Sequence, residues 1–165
     1  MPRLRHYDES GLARFVTFCC FQRLPSLECP GAMEILVAEL DRARSKHGFK
    51  IIGYVLMPDH VHLVLLPPGG MKLGLVIGEI KSRSAKEYFA ASNIAPSGAT
   101  RVFWQKRCFD YNCRTVERVR EKVRYCHNNP VTRGLVKCPA DWEWSSYNWY
   151  RGRRDVPLAI DDAAF

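Results

Sequence analysis

The stretch from Lys50 to Leu66 constrains the fold more than any other part of this chain. Two apolar, β-branched runs, Lys50 to Met57 and His60 to Leu66, are joined only by Pro58-Asp59. A link that short makes them antiparallel neighbours. In the second run Val61, Leu63 and Leu65 point to one face, and His60, His62, Val64 and Leu66 to the other. Both faces are apolar beyond the histidines, which predicts a central strand covered on both sides. The same alternation aims His60 and His62 at one point, near the separation at which two imidazoles share a metal ion.

The rest of the chain supplies layers for that strand. Ala13 to Phe21 is rich in β-branched and aromatic residues and reads as a first strand. Pro30 and Gly31 open a helix to about His47. Its stripe is Met33, Leu36, Val37, Leu40 and Ala43, and Gly48 is placed for the left-handed C-terminal position. After Pro67-Pro68-Gly69-Gly70, a second helix runs from Leu73 to about Ala91 on Leu73, Val76, Ile77 and Ile80. Ser92 to Thr100 has loop composition, Val102 to Cys113 holds a fourth strand, and Thr115 to Asn128 forms a third helix ended by Pro130. The order strand, helix, strand, strand, helix, strand is that of a ferredoxin-like α+β fold, an antiparallel sheet with helices on one face. The third helix is left to cover the histidine side. Residues 1–165 read as one domain, with 137–165 an aromatic and basic tail packed on it.

Along the third helix, Val116, Val119, Val123 and Cys126 gather into one stripe. Tyr125 falls roughly 140° from its centre at 100° per residue, with Arg118, Glu121 and Lys122, and Asn129 lies one turn on. A tyrosine there only for packing belongs on the stripe. Here it projects beside an amide able to ligate a cation, an arrangement that suits a nucleophile near a metal. A free phenol, with pKa about 10, needs such help at neutral pH.

Charge points to the partner. Twenty-five Lys and Arg against seventeen Asp and Glu give +8 and an isoelectric point near 9.3, which favours a polyanion, nucleic acid before anionic membrane. No apolar stretch approaches a bilayer span, and no secretory signal opens the chain. Seven cysteines without C-x-x-C spacing read as reduced thiols of a cytoplasmic protein. Lys81, Arg83 and Lys86 on the second helix, with Arg3, Arg5, Arg101, Lys106, Arg107, Arg114, Arg151, Arg153 and Arg154, are candidates for phosphate contacts. Trp104, Phe109 and Tyr111 are candidates for stacking unpaired bases, with core packing the competing role.

Four blocks in order, YVLMPDHVHLVLLP (Tyr54 to Pro67), FWQKRCFDYNCR (Phe103 to Arg114), YCHNNPVTRGLV (Tyr125 to Val136) and WEWSSY (Trp142 to Tyr147), resemble the REP-associated tyrosine transposases. These are HUH (His-hydrophobic-His) single-strand endonucleases, related to insertion-sequence transposases that use one tyrosine. Tyr111 and Cys113 depart from the pattern, standing where such proteins often carry His and Ile. The resemblance implies that His60, His62 and Asn129 bind a divalent metal, Mg²⁺ or Mn²⁺, and that Tyr125 is the nucleophile. It implies single-stranded DNA with hairpin-forming palindromes of the REP type as substrate and a nucleoid-associated location. Trp104 and Gln105, inside the second block, are expected near the site. Two other functions fit the residues: a hairpin-binding protein without catalysis, and a metal phosphoesterase using water, for which His127 is the nearest further ligand. Monomer and homodimer both remain open.

Overall fold

The computed structural model describes residues 11–92 and 101–162. Arg3, Arg5, His6 and nearly all of the expected loop at 92–100 lie outside these residues. Four strands, β1 (Ala13–Cys20), β2 (Lys50–Leu56), β3 (His60–Leu66) and β4 (Trp104–Cys113), form one antiparallel sheet in the order β2-β3-β1-β4. With α1 (Ala32–His47), α2 (Leu73–Ala91) and α3 (Val116–Thr132), this is the expected α+β architecture. Strand β3 is central, between β2 and β1.

The alternation of β3 sorts two cores, as the sequence predicts. Val61, Leu63 and Leu65 join Val16, Phe18, Leu36, Leu40, Val76, Ile77 and Ile80 under α1 and α2. Val64 joins Ala13, Phe15, Val55, Val119, Val123 and Cys126 under α3. The two histidines lie on the α3 side of the sheet.

Helix α3 starts where Thr115 accepts a hydrogen bond from the Arg118 amide on its side-chain hydroxyl, at 3.2 Å. Its end corrects the expectation that Pro130 stops it. The helix continues to Thr132 with Pro130 in its last turn, where the bond to the Cys126 carbonyl is lost but few residues remain beyond it. Gly134 ends it, in a left-handed conformation (φ +72°). The Gly134 amide reaches the Val131 carbonyl and the Leu135 amide the Pro130 carbonyl, both at 2.9 Å, which closes a Schellman motif.

The C-terminal tail seals the outer edge of β2. The Leu56 amide donates to the Trp144 carbonyl at 2.8 Å, the Ser146 amide to the Tyr54 carbonyl at 3.0 Å, and the Asp161 amide to the Ile51 carbonyl at 2.9 Å. The sheet therefore keeps no open edge on this side.

Candidate nuclease site

The two imidazoles converge. His60 Nε2 and His62 Nε2 are 3.1 Å apart, and each ring is held from behind. His60 Nδ1 meets the Asp59 carboxylate at 2.6 Å, and His62 Nδ1 meets the Thr17 hydroxyl at 2.7 Å. A carboxylate only accepts, so His60 Nδ1 carries the proton and a neutral His60 turns a bare Nε2 lone pair inward. Thr17 can donate or accept. When it donates, His62 Nε2–H bonds His60; when it accepts, two bare lone pairs face one another and call for a cation. Two ligands at right angles on a cation ~2.1 Å away lie ~3.0 Å apart, close to the distance here.

Electrostatics keep this pair neutral. Burial pushes His60 below its ordinary value, against the opposing pull of Asp59. Burial pushes His62 down to about 3, aided by the charges of His60, Arg23, Arg133 and Lys122. Burial would raise the Asp59 carboxyl, but its bond to His60 and the charges of His60, Arg23 and Arg133 hold it below the usual range. Neutral imidazoles at pH 7 are the form that binds metal.

Tyr125 reaches this pair across more than sixty positions of sequence. Its ring packs edge-on to His62 with centroids 5.2 Å apart, and to Phe15 at 5.9 Å, while half the residue stays exposed. Phe15 stacks on His62 at 5.2 Å. The Lys122 ammonium sits 5.0, 5.3 and 5.8 Å from the ring centroids of Phe15, Tyr111 and Tyr125, so a cation is held among three rings beside the phenol. Asn129, one helical turn beyond Tyr125, is 7% exposed, and its Oδ1 is buried without a hydrogen-bond partner. An orphaned buried carbonyl oxygen on this flank suits a third ligand of a hard cation. Among the described residues no three His, Cys, Asp or Glu side chains form a cation site of their own. His127 is turned away, its Nε2 on Ser146 Oγ at 2.8 Å, and is unavailable as the further ligand of a zinc hydrolase.

Asp59, Thr17 and Arg23 went unassigned in the sequence. Asp59 read only as a turn residue, and Thr17 as one β-branched residue of a strand. Its signal was register: Thr17 pairs with His62 in the β1–β3 ladder. Arg23 follows β1 with Gln22 in a left-handed turn (φ +57° and +52°), a strain worth roughly 1–3 kcal/mol per residue. That turn brings Arg23 Nε to Asp59 at 2.8 Å.

The expected DNA contacts divide. Lys86, Arg107 and Arg114 are exposed. Arg83 is ion-paired to Glu39 at 3.0 Å. Lys81 is corrected: it is buried, its ammonium on the backbone carbonyls of Gln105 and Lys106, where it ties α2 to β4. Trp104 is corrected too. It is buried on the α1/α2 side with Nε1 on Ser84 at 3.0 Å, its ring packed edge-on to Phe18 and tilted against Phe103 in the core. Gln105 beside it is half-buried. Phe109 and Tyr111 pair with Thr17 and Phe15 and stay exposed on the histidine face.

The chain is similar to known transposases in sequence and in fold. The family model for IS200-like transposases matches residues 16–129. A REP-associated tyrosine transposase from Escherichia coli (strain K12) is 30% identical over 161 residues, covering 97% of this chain and 88% of that protein. The structure of a REP-associated tyrosine transposase bound to a REP hairpin superposes with a TM-score of 0.75 at 25% identity, covering 100% of this chain and 95% of the other. A protein with a paired-histidine face, a tyrosine helix laid across it and this sequence likeness belongs to the IS200-like transposase family, among the REP-associated tyrosine transposases.

Proposed function

We propose that this transposase cleaves and rejoins single-stranded, hairpin-forming DNA of the REP type through a 5′-phosphotyrosine at Tyr125, with a divalent metal, Mg²⁺ or Mn²⁺, held by His60, His62 and Asn129. The observation that carries the reading is the convergence of the Tyr125 ring on His62, whose Nε2 in turn faces His60. The likeness to a hairpin-bound relative supports the choice of DNA.

The step balances simply. Tyr125 Oη gives up its proton and bonds to phosphorus; the P–O3′ bond breaks, and the 3′ oxygen leaves with a proton as a hydroxyl. Attack by a second 3′-hydroxyl reverses the sequence and joins strands without ATP. The bound metal would polarise the scissile phosphate and offset charge gathering on its oxygens. Asp59 and Thr17 hold both imidazoles in register for it, and Phe15 buttresses His62. Lys122 adds a positive charge next to the phenol. Exposed Lys86, Arg107 and Arg114 would meet backbone phosphates, and Phe109 and Tyr111 would offer faces to unpaired bases. The chain would act as one domain on the nucleoid, in the cytoplasm. No helix among the described residues is long and apolar enough to cross a membrane.

Incubation of end-labelled hairpin DNA with Mg²⁺ or Mn²⁺ tests the reading. The expected product is a denaturant-resistant protein–DNA adduct that Tyr125→Phe and His62→Ala each abolish. Binding without cleavage would leave a hairpin-binding protein, and cleavage that survives Tyr125→Phe would leave a phosphoesterase using water.

A further inference from the structure

A concavity lies on the other flank of α3. Tyr125 and Asn129 leave the valine stripe on one side, and Arg120, Arg124 and His127 leave it on the other. Between that second flank, β2 and the C-terminal tail runs a groove of about 630 Å³. Arg120 and Arg124 line one wall and Arg151 and Arg154 the other, all four exposed.

These four differ from seven other arginines of the fold. Arg14, Arg23, Arg42, Arg44, Arg83, Arg118 and Arg153 each pair with a carboxylate. Among the described residues none of the groove arginines does. The groove holds two carboxylates of its own. Asp161 is engaged, its Oδ2 accepting from the Ile51 amide at 2.9 Å and from Arg44 at 3.1 Å, and Asp162 stands at the rim. Glu117 sits one turn before Arg120 on α3. Positive charge is still in excess, and two of its bearers follow one another along α3 at a rise of ~6 Å.

The groove also has flat faces. The Arg154 guanidinium lies 4.1 Å from the Trp149 ring centroid, so its outer face is a stacking plane. Tyr150 is 52% exposed, and its hydroxyl is fixed to the Ile52 carbonyl at 2.6 Å, which holds the ring as a rigid panel. Unmatched guanidinium groups beside flat faces are the combination that grips unpaired nucleotides with little regard for sequence.

We infer that this groove is a second DNA site, which binds a single-stranded stretch flanking the hairpin through its phosphates, separate from the histidine–Tyr125 site. The ligand class rests on the function proposed above. A strand held in both places crosses α3, and the tail becomes a clamp for DNA that is not being cut.

Fluorescence anisotropy of labelled dT12 over a salt series, in EDTA, tests this without cleavage. Arg120→Gln/Arg124→Gln and Arg151→Gln/Arg154→Gln should each weaken binding roughly tenfold and flatten the slope of log K against log salt by about 0.7 per lost contact. Arg→Lys at the same positions should keep the slope, and Tyr150→Ala should lower affinity without changing it. Lys72→Gln, an exposed charge at the start of α2 and outside both sites, should match wild type. An unchanged slope in the four-site Gln variant overturns the inference. So does equal competition by a blunt duplex, which would make the groove a stem site, or by poly-glutamate, which would make it a peptide site. Loss of slope in a protein that forms no adduct would sink the strand-transfer reading and leave the groove standing. An adduct with an unaltered slope would do the reverse.

Discussion

His60 and His62 are bare side chains until their backs are occupied, and what occupies them is Asp59 and Thr17. A strand's period of two is enough to aim both rings at one point, so the pair was legible in the sequence. So was Tyr125, because a tyrosine off the valine stripe has no packing reason to be there. Asp59, next to His60 in the chain, reads only as a turn residue, and the other supports are not legible because they arrive through tertiary structure: Thr17 reaches His62 by strand register, and Arg23 reaches Asp59 by a left-handed turn no local pattern announces. Asp59→Ala removes the carboxylate that fixes the His60 tautomer, and Thr17→Val the hydroxyl behind His62. Each should weaken Mn²⁺ binding about 10–100-fold, read by electron paramagnetic resonance of the free ion. Affinities matching wild type would show that the rings need no such support.

Helix α3 carries Tyr125, so its seating on the sheet sets the distance to His62. The β2–β3 ladder shifts register between Ile51 and Gly53, and the helix comes down over Gly53. A Cβ added there would meet Val123 Cγ2 at 3.0 Å and Ser146 Oγ at 3.5 Å. The helix, its stripe and its role as cover for the histidine face could all be read from a period of 3.6. The bulge could not, because Ile51 and Ile52 are equally apolar and fit either side of the sheet. The true helix end was missed for a related reason: Pro130 looked like the stop, while Gly134 supplies the φ that permits one. Gly53→Ala should cost about 1–3 kcal/mol in urea unfolding, the range for overpacking a filled core. Gly53→Ala/Val123→Ala should recover part of that, since the two share one contact. Strict additivity of the two substitutions would remove Val123 as the cause.

The molecule as a whole is closed by its tail, the region least readable beforehand. Its partners are backbone groups of β2 and the Tyr54 hydroxyl rather than a periodic apolar face, so no spacing marks them. Ser146 is the hub: its amide donates to the Tyr54 carbonyl, its hydroxyl accepts from the Tyr54 amide, and His127 Nε2 meets that hydroxyl at 2.8 Å. His127 lies among the rings of Tyr147 and Tyr150, with Arg124 and Arg151 lining the groove beside it. Burial pushes its pKa down from 6.5 to about 4. The unfolded chain thus takes up a proton near pH 6.5 that the folded chain refuses until about pH 4. The stability His127 contributes is whole above pH 6.5, shrinks as pH falls, and is gone below 4, a span of at most about 3 kcal/mol. His62, also pushed down by burial, drives the same trend, so the His127 share is read by difference. Urea unfolding of wild type and His127→Gln, whose amide can still reach Ser146 but does not titrate, should give curves that draw together between pH 7 and pH 4. Parallel curves would mean that His127 is protonated in the folded chain as readily as in water, and that it does not lock the tail to α3 in its neutral form.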